Sequence, residues 1–238
     1  MVTAVIIPAF NEETTVGQVV AAVAGMGLPS VVVDDGSTDA TTEVAARAGA
    51  SVVTLPINVG VGGALRAGFR YCVDRGVQRV VQVDADLQHD PSAIPALLAA
   101  ADSGLDLVIG SRFAAAGYPV PPIRRMAMRA LARVVSRRVG VELDDVTSGF
   151  RVISEPLLSV FAEQYPAEYL GDTVEAILLA HRSGARIGQV GVPMSPRAAG
   201  EGTSPPRAAG HLMGLTLAIL VKPRHRIEPR DGTERHGR

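Results

Sequence analysis

Lysine is almost missing from this chain: Lys222 is the only one among 23 basic residues, and the rest are arginine. That lack excludes the phosphate loop G-x-x-x-x-G-K-[ST], while the arginines offer planar, bidentate phosphate-binding groups. Cysteine is nearly missing too. Cys72 stands alone, so no intrachain disulfide forms and a cytosolic setting is expected. No surplus of charge is present either. A net charge of −1 over 238 residues argues against a nucleic-acid binder, which carries a strong basic excess. Long apolar runs are absent: the longest late stretch, Leu212–Val221, has ten residues, against the ~20 that a spanning helix needs. The start, MVTAVIIPAFNEE, has no basic leader segment. A soluble chain, or one peripheral to a membrane, is the expectation.

What is present is a foldable chain, 47% hydrophobic and long enough to bury a substantial core. Short β-branched runs alternate with segments of helical pattern. Strands are expected at TAVIIPA, SVVVDDGS, SVVTLP, VQRVVQVDAD and DLVIGSR. Helices are expected at EETTVGQVVAAVAGM, DATTEVAARAGA, GGALRAGFRYCVDRG and PSAIPALLAAAD. This alternation implies an α/β fold with a mainly parallel sheet covered on both faces. Such sheets bind ligands beyond the C-terminal ends of their strands, which here read PAFNEE, DDGSTD, DADLQ and GSR. After Arg112 come a Pro/Gly loop, FAAAGYPVPP, and a basic helix, IRRMAMRALARVVSRRVG. DDVTSGFRVIS reads as a loop entering a strand, TVEAILLAHRSG as a helix and ARIGQVGVPMSP as a last strand. PRAAG occurs twice within a Pro/Gly-rich loop, and the polar tail 222–238 is expected to be disordered.

The motifs carry two readings each. Asp34 and Asp35 end a strand before Gly36, either as a capping turn or as acceptors for a nucleoside's N–H and hydroxyl groups. NVGVGGALRAG fails the G-x-G-x-x-G test, because the third glycine would fall at Leu65. Asp84 and Asp86, two apart on an expected strand, share a face. Two crowded carboxylates repel unless a cation lies between them, and oxygen donors suit Mg²⁺ or Mn²⁺. His89 reads first as a hydrogen-bonding partner and Asp90 as the turn into the next helix. Arg125, Arg129, Arg133 and Arg137 recur at i, i+4, beside Arg124 and Arg138. They form either a solvated basic face or a surface for an anionic membrane or lipid phosphate.

Taken together, IIPAFNEE, VVVDDGSTD, NVGVGGALRAG, VDADLQHDP, VIGSRF, DDVTSGFRVIS and VPMSPRAAGEGTS resemble the family 2 glycosyltransferases of GT-A fold. Among these the chain is most similar to the polyprenyl-phosphate (dolichyl-phosphate-type) sugar transferases. The resemblance implies a Rossmann-like, mainly parallel sheet flanked by helices, with a C-terminal acceptor-side segment. A single domain over 1–221 is expected, with 1–112 as its nucleotide-sugar half and 113–221 as its acceptor and membrane-facing half. By position, Pro8, Ala9, Glu12, Asp35, Asp84 and Ala85 match residues that hold the nucleotide sugar, and Arg197 matches an arginine that closes on the diphosphate. Asp86 and Gln88 match metal ligands. Arg112, Arg124 or Arg125, and Arg129 match the acceptor-phosphate side, with Ser148 and Arg151 lining the site. The sequence departs from the family's R-x-x-G-x-S-K, where Gly202 and Thr203 replace the Ser-Lys pair, and Arg129 stands where relatives can have serine.

The implied reaction is inverting and metal-dependent, from a GDP- or UDP-linked sugar to a polyprenyl phosphate, with Asp86 and Arg112 in catalytic roles. Its setting is cytoplasmic, peripheral at the inner face of the plasma membrane, compatible with a homo-oligomer or a small membrane-protein partner. A hydroxyl acceptor in cell-envelope polysaccharide synthesis is the main rival. It requires a carboxylate base, for which Asp172 and Glu175 are the candidates, although Asp172 can equally cap a helix. A binding subunit without turnover is the rival from another class, and metal-dependent transfer would rule it out.

Overall fold

The computed structural model describes residues 1–112, 121–166 and 172–193. Its core is one seven-stranded sheet: β1 (Thr3–Ala9), β2 (Ser30–Asp34), β3 (Ser51–Thr54), β4 (Arg79–Gln82), β5 (Leu107–Ser111), β6 (Arg151–Ser154) and β7 (Ile187–Gly191), in the order β3-β2-β1-β4-β6-β5-β7. The expected mainly parallel α/β sheet is present. All pairings are parallel except those of β6, which runs antiparallel between β4 and β5. β2, β5 and the last six residues of β1 are buried at every position, which is why they read as continuous apolar runs rather than alternating ones.

Side chains still alternate across the pleat, and this divides the core. Val5, Ile7, Val32, Val81 and Val108 face a cluster with α1 (Val16–Ala24), α2 (Thr41–Arg47) and α4 (Ile94–Asp102). Ala4, Ile6, Val33, Val80 and Ile109 face the opposite cluster, with α3 (Val61–Val73), α5 (Pro122–Val139), α6 (Leu157–Gln164) and α7 (Asp172–Arg182). In α1 the buried valines fall at 16, 19, 20 and 23, the stripe that turns a helix toward a sheet. The sequence pattern did not single out α6. It supplies Phe161, which packs with Phe69 of α3 and with Tyr165 at ring-centroid distances of 5.8 and 5.1 Å.

The direction of β6 sets which loops share an edge of the sheet. Because β6 opposes its neighbours, its first residue, Arg151, pairs with Gln82 near the end of β4 and with Ile109 near the end of β5. The loop before β6 therefore lies at the C-terminal edge of the sheet, among the strand tips. No helix among the described residues is long and apolar enough to cross a membrane.

Candidate active site

The tips of β1 and β2 are laced together. The Asn11 N–H donates to Ser37 Oγ at 2.9 Å, Asn11 Oδ1 accepts the Thr38 N–H at 2.9 Å, and the Glu12 N–H donates to Thr41 Oγ1 at 2.8 Å. The paired acids divide their labour. Asp34 closes its own turn by accepting the Ser37 N–H at 2.9 Å and the Thr42 hydroxyl. Asp35 reaches across and accepts the N–H groups of Val59 and Gly60, both at 2.8 Å, which pins the β3–α3 loop against the strand tip. Gly36 follows with φ +74°, and a Cβ there would lie 2.8 Å from the Ile57 carbonyl carbon, so only glycine fits this turn.

The expected strand through Asp86 stops earlier. β4 ends at Gln82 and the Val83 N–H makes the last contact with β1, at Ile6 O (3.0 Å). The chain then turns through Leu87 at φ 62°. Asp84 and Asp86 nevertheless meet at one cavity, brought there by a turn rather than by strand periodicity. Asp86 is buried and accepts both the backbone N–H of Gln88 (3.1 Å) and its side-chain amide. His89 is buried, stacks on Phe150 at 5.0 Å and accepts the Asp84 N–H on Nδ1 at 3.2 Å, so that lone pair is not open to a cation. Asp90 accepts the Ser92 N–H at 2.9 Å and caps the next turn, as expected. Gly149 lies against this tip: a Cβ there would stand 3.0 Å from the Asp84 carboxylate.

On the far side, Arg112 is buried and its Nε donates to Asp145 at 2.5 Å. Asp145, 1% exposed, also accepts the N–H and hydroxyl of Thr147 at 3.1 and 3.0 Å. Sequence reasoning missed this partner, although Asp145 stands in the DDVTSGF segment. Ser148 and Arg151 have no exposed surface. The Ser148 hydroxyl accepts the Phe150 N–H at 3.2 Å, and Arg151 donates to the carbonyls of Ser148 and Val146 at 2.8 and 3.4 Å. Arg151 Nη1, Gln82 Oε1 and the Tyr165 hydroxyl are buried without a hydrogen-bond partner among the described residues. Asp172 begins α7 and is buried. Burial raises its pKa, the Arg151 charge partly offsets this, and the Asp84 charge adds to it. Glu175 lies one turn further along, half-buried.

The arginine helix divides as well. Arg124 and Arg125 are half-buried in the first turn of α5. Arg129 is exposed and lines a separate cavity of about 350 Å³ with Arg133 and Arg137. Arg197, the PRAAG repeats and the polar tail lie outside the described residues.

At the strand tips a cavity of about 390 Å³ is lined by Pro8, Glu12, Asp35, Asp84, Ala85 and Asp86, all expected from the sequence. Phe10, Asn58, Gly60 and Val61 complete it. They sit inside the PAFNEE and NVGVGG segments, but their residue types carry no signal of their own. Ala9 is buried behind the wall, its carbonyl accepting the Asp35 N–H at 2.9 Å. Four carboxylates line this cavity, and none of its lining residues is basic.

Residues 4–159 match the family model described as Glycosyl transferase family 2. The undecaprenyl-phosphate mannosyltransferase of Micrococcus luteus is 33% identical over 229 residues, covering 91% of each chain. The dolichyl-phosphate hexose transferase of Haloferax volcanii is 31% identical over 227 residues, covering 94% of this chain and 96% of the relative. Among solved structures, glucosyl-3-phosphoglycerate synthase from Mycobacterium tuberculosis, in complex with Mn²⁺, uridine diphosphate and phosphoglyceric acid, superimposes with a TM-score of 0.71 at 22% identity. That match covers 93% of this chain and 79% of the synthase.

Proposed function

The chain belongs to glycosyl transferase family 2, and from that premise we propose an inverting, metal-dependent transfer of a sugar from a GDP- or UDP-linked donor to a polyprenyl phosphate. The observation that carries the donor site is the cavity at the strand tips, walled by Glu12, Asp35, Asp84 and Asp86 with no basic side chain in its lining. A nucleotide diphosphate is an anion, and carboxylates repel it unless a divalent cation intervenes. The donor set fits such a cation. The Asp86 carboxylate and the Gln88 amide are hydrogen-bonded neighbours and offer oxygen ligands of the kind Mg²⁺ and Mn²⁺ take. Asp86 and Gln88 would hold the ion. When bound, it supplies positive charge against the diphosphate leaving group. The solved synthase with Mn²⁺ and uridine diphosphate shares this fold.

The remaining residues bind and orient. Pro8, Glu12, Asp35, Asp84 and Ala85 form the nucleoside wall, Ala9 backs it by accepting the Asp35 N–H, and Arg197, outside the described residues, is assigned to the diphosphate. Arg112, held in place by Asp145, and Arg124 and Arg125 position the acceptor phosphate. A phosphate is already ionised near pH 7, so positioning suffices and no strong base is needed. Attack from the side opposite the departing diphosphate inverts the anomeric carbon. Ser148 and Arg151, being enclosed, support the acceptor side from beneath. The names of the Micrococcus and Haloferax relatives support a polyprenyl-phosphate acceptor. A lipid acceptor in turn implies work at the inner face of the plasma membrane. We assign 1–112 to the donor half and 113–221 to the acceptor half of one domain.

A hydroxyl acceptor is the second reading, favoured by one observation: Asp172 is buried, with its carboxyl raised above the ordinary aspartate range by that burial. This is the environment of a general base, and Glu175 is the neighbouring alternative. A panel of GDP- and UDP-sugars against radiolabelled polyprenyl phosphate with Mn²⁺, followed by organic extraction, tests the proposal. Metal-dependent label in the organic phase is expected. Label that appears only in water-soluble saccharide would replace the first reading with the second.

A further inference from the structure

His89 has no ligand role in the donor site, yet it is 2% exposed and engaged on two sides. The ladder of β4 ends at Gln82, and the Val83 N–H makes the last contact with β1. The Asp84 N–H is the next main-chain donor, and at a strand tip it needs a new partner. The turn through Leu87, at φ 62°, brings the chain back so that His89 Nδ1 accepts that N–H at 3.2 Å. Asp84 Oδ2 stands further from the same nitrogen, at 3.6 Å. On its other side the imidazole lies flat on Phe150, with ring centroids 5.0 Å apart and planes inclined by 23°.

Phe150 stands directly before β6, in the segment assigned to the acceptor side. It has no exposed surface; its N–H donates to the Ser148 hydroxyl at 3.2 Å, and its carbonyl accepts the Gly110 N–H of β5 at 2.8 Å. Gly149 meets the same turn, since a Cβ there would stand 3.0 Å from Asp84 Oδ1 and 3.1 Å from Oδ2. The segment before β6 thus presses on the turn after β4 at two points, the Asp84 carboxylate and the His89 ring. We propose that His89 is a positioning residue for both halves of the site. Its acceptor nitrogen fixes the Asp84 main chain at the donor cavity, and its ring, seated on Phe150, sets the spacing between that turn and Ser148 and Arg151. The two tasks use different parts of the side chain: an acceptor without a ring keeps the first, and a ring without an acceptor keeps the second. This role rests on the assignment of the strand-tip cavity to the nucleotide sugar.

The test compares His89→Asn, whose Oδ1 takes the place of Nδ1, with His89→Phe, which keeps an aromatic ring and has no acceptor. Amide hydrogen exchange at Asp84, followed by NMR in the full chain without ligand, reads the first contact directly. Exchange should stay slow in the Asn variant and quicken by on the order of tenfold in the Phe variant. Equal protection in the parent and the Phe variant would overturn the hydrogen bond's role. GDP and UDP, each with Mn²⁺, are then titrated by calorimetry. For whichever nucleotide the parent binds, the Phe variant should bind roughly tenfold more weakly and the Asn variant within about threefold of the parent. A parent that binds neither nucleotide sinks the donor reading and this role with it, whereas a binding parent and an unimpaired Phe variant sink this role alone. Phe150→Leu removes the stacking partner and leaves Nδ1 its contact. It should raise the acceptor KM while the Asp84 amide stays protected and the nucleotide Kd holds. A parent-like acceptor KM in that variant would overturn the spacing role of the ring.

Discussion

Asp86 and Asp172 are both buried carboxylates, and the physical chemistry of each leads to a different expectation. Asp86 is held at the strand-tip cavity by two hydrogen bonds from Gln88. Replacing it with asparagine removes the charge while keeping the side chain's volume and an acceptor oxygen for Gln88. Asp86→Asn is expected to lower kcat/KM by on the order of 10³-fold with its melting temperature nearly unchanged, and retained turnover would sink the metal assignment. Asp172 titrates above the ordinary value of about 3.9 because it is buried, even after the favourable Arg151 charge. A group raised in this way contributes stability that is fully present below its unfolded pKa and lost as pH rises through its folded pKa. Ionised Asp172 is therefore a cost to the fold at neutral pH. Asp172→Asn should melt higher than the parent at pH 8, with the gap closing toward pH 4. A less stable variant at pH 8 would show that burial does not dominate. The same variant separates the acceptor readings: it should spare transfer to a phosphate and abolish transfer to a hydroxyl.

Single elements hold the site together by reaching across to one another. The loop before β6 supplies Asp145 to Arg112 at the tip of β5, and both are buried. Removing one partner of such a pair leaves an uncompensated charge, at a cost of about 3–5 kcal/mol. Asp145→Ala should lose that much in denaturant unfolding, whereas Asp145→Asn, which keeps an acceptor oxygen for Nε, should lose less. If activity of the Asn variant falls mainly through acceptor KM, Asp145 orients Arg112; a fall confined to donor KM would detach Arg112 from the acceptor. The β3–α3 loop is held in a parallel manner. Asp35 uses both carboxylate oxygens on Val59 and Gly60, so it builds the wall of the strand-tip cavity as well as lining it.

At the scale of the whole molecule, two cavities among the described residues differ in character. One is at the strand tips and acidic; the other is on α5 and rich in arginine. As the proposed donor site, the acidic one would make donor binding and metal binding interdependent. A nucleoside diphosphate should raise the melting temperature only when Mg²⁺ or Mn²⁺ is present, by about 2.7 kcal/mol of stabilisation at a hundredfold excess over Kd. Equal stabilisation with a chelator present would show that the wall carboxylates do not need a cation.

Local chemistry alone determined a good deal about this protein. The alternation of apolar runs with helical periods set the α/β architecture, because that pattern is read within a few residues. The acids at the ends of those runs marked the edge of the sheet where the acidic cavity lies, for the same reason. The order of the motifs pointed to the family. Only the tertiary structure decided the rest. The antiparallel course of β6 and its pairing of Gln82 with Arg151 join residues far apart in the chain, and no local period encodes that choice. The Arg112–Asp145 pair spans 33 positions and exists only because β6 is reversed. Asp84 and Asp86 were legible as a pair, but a turn rather than a strand brings them together. The arginines of one evenly spaced row divide between a half-buried first turn and an exposed outer face. Helical spacing fixes which residues share a face, whereas packing against the sheet decides what that face meets.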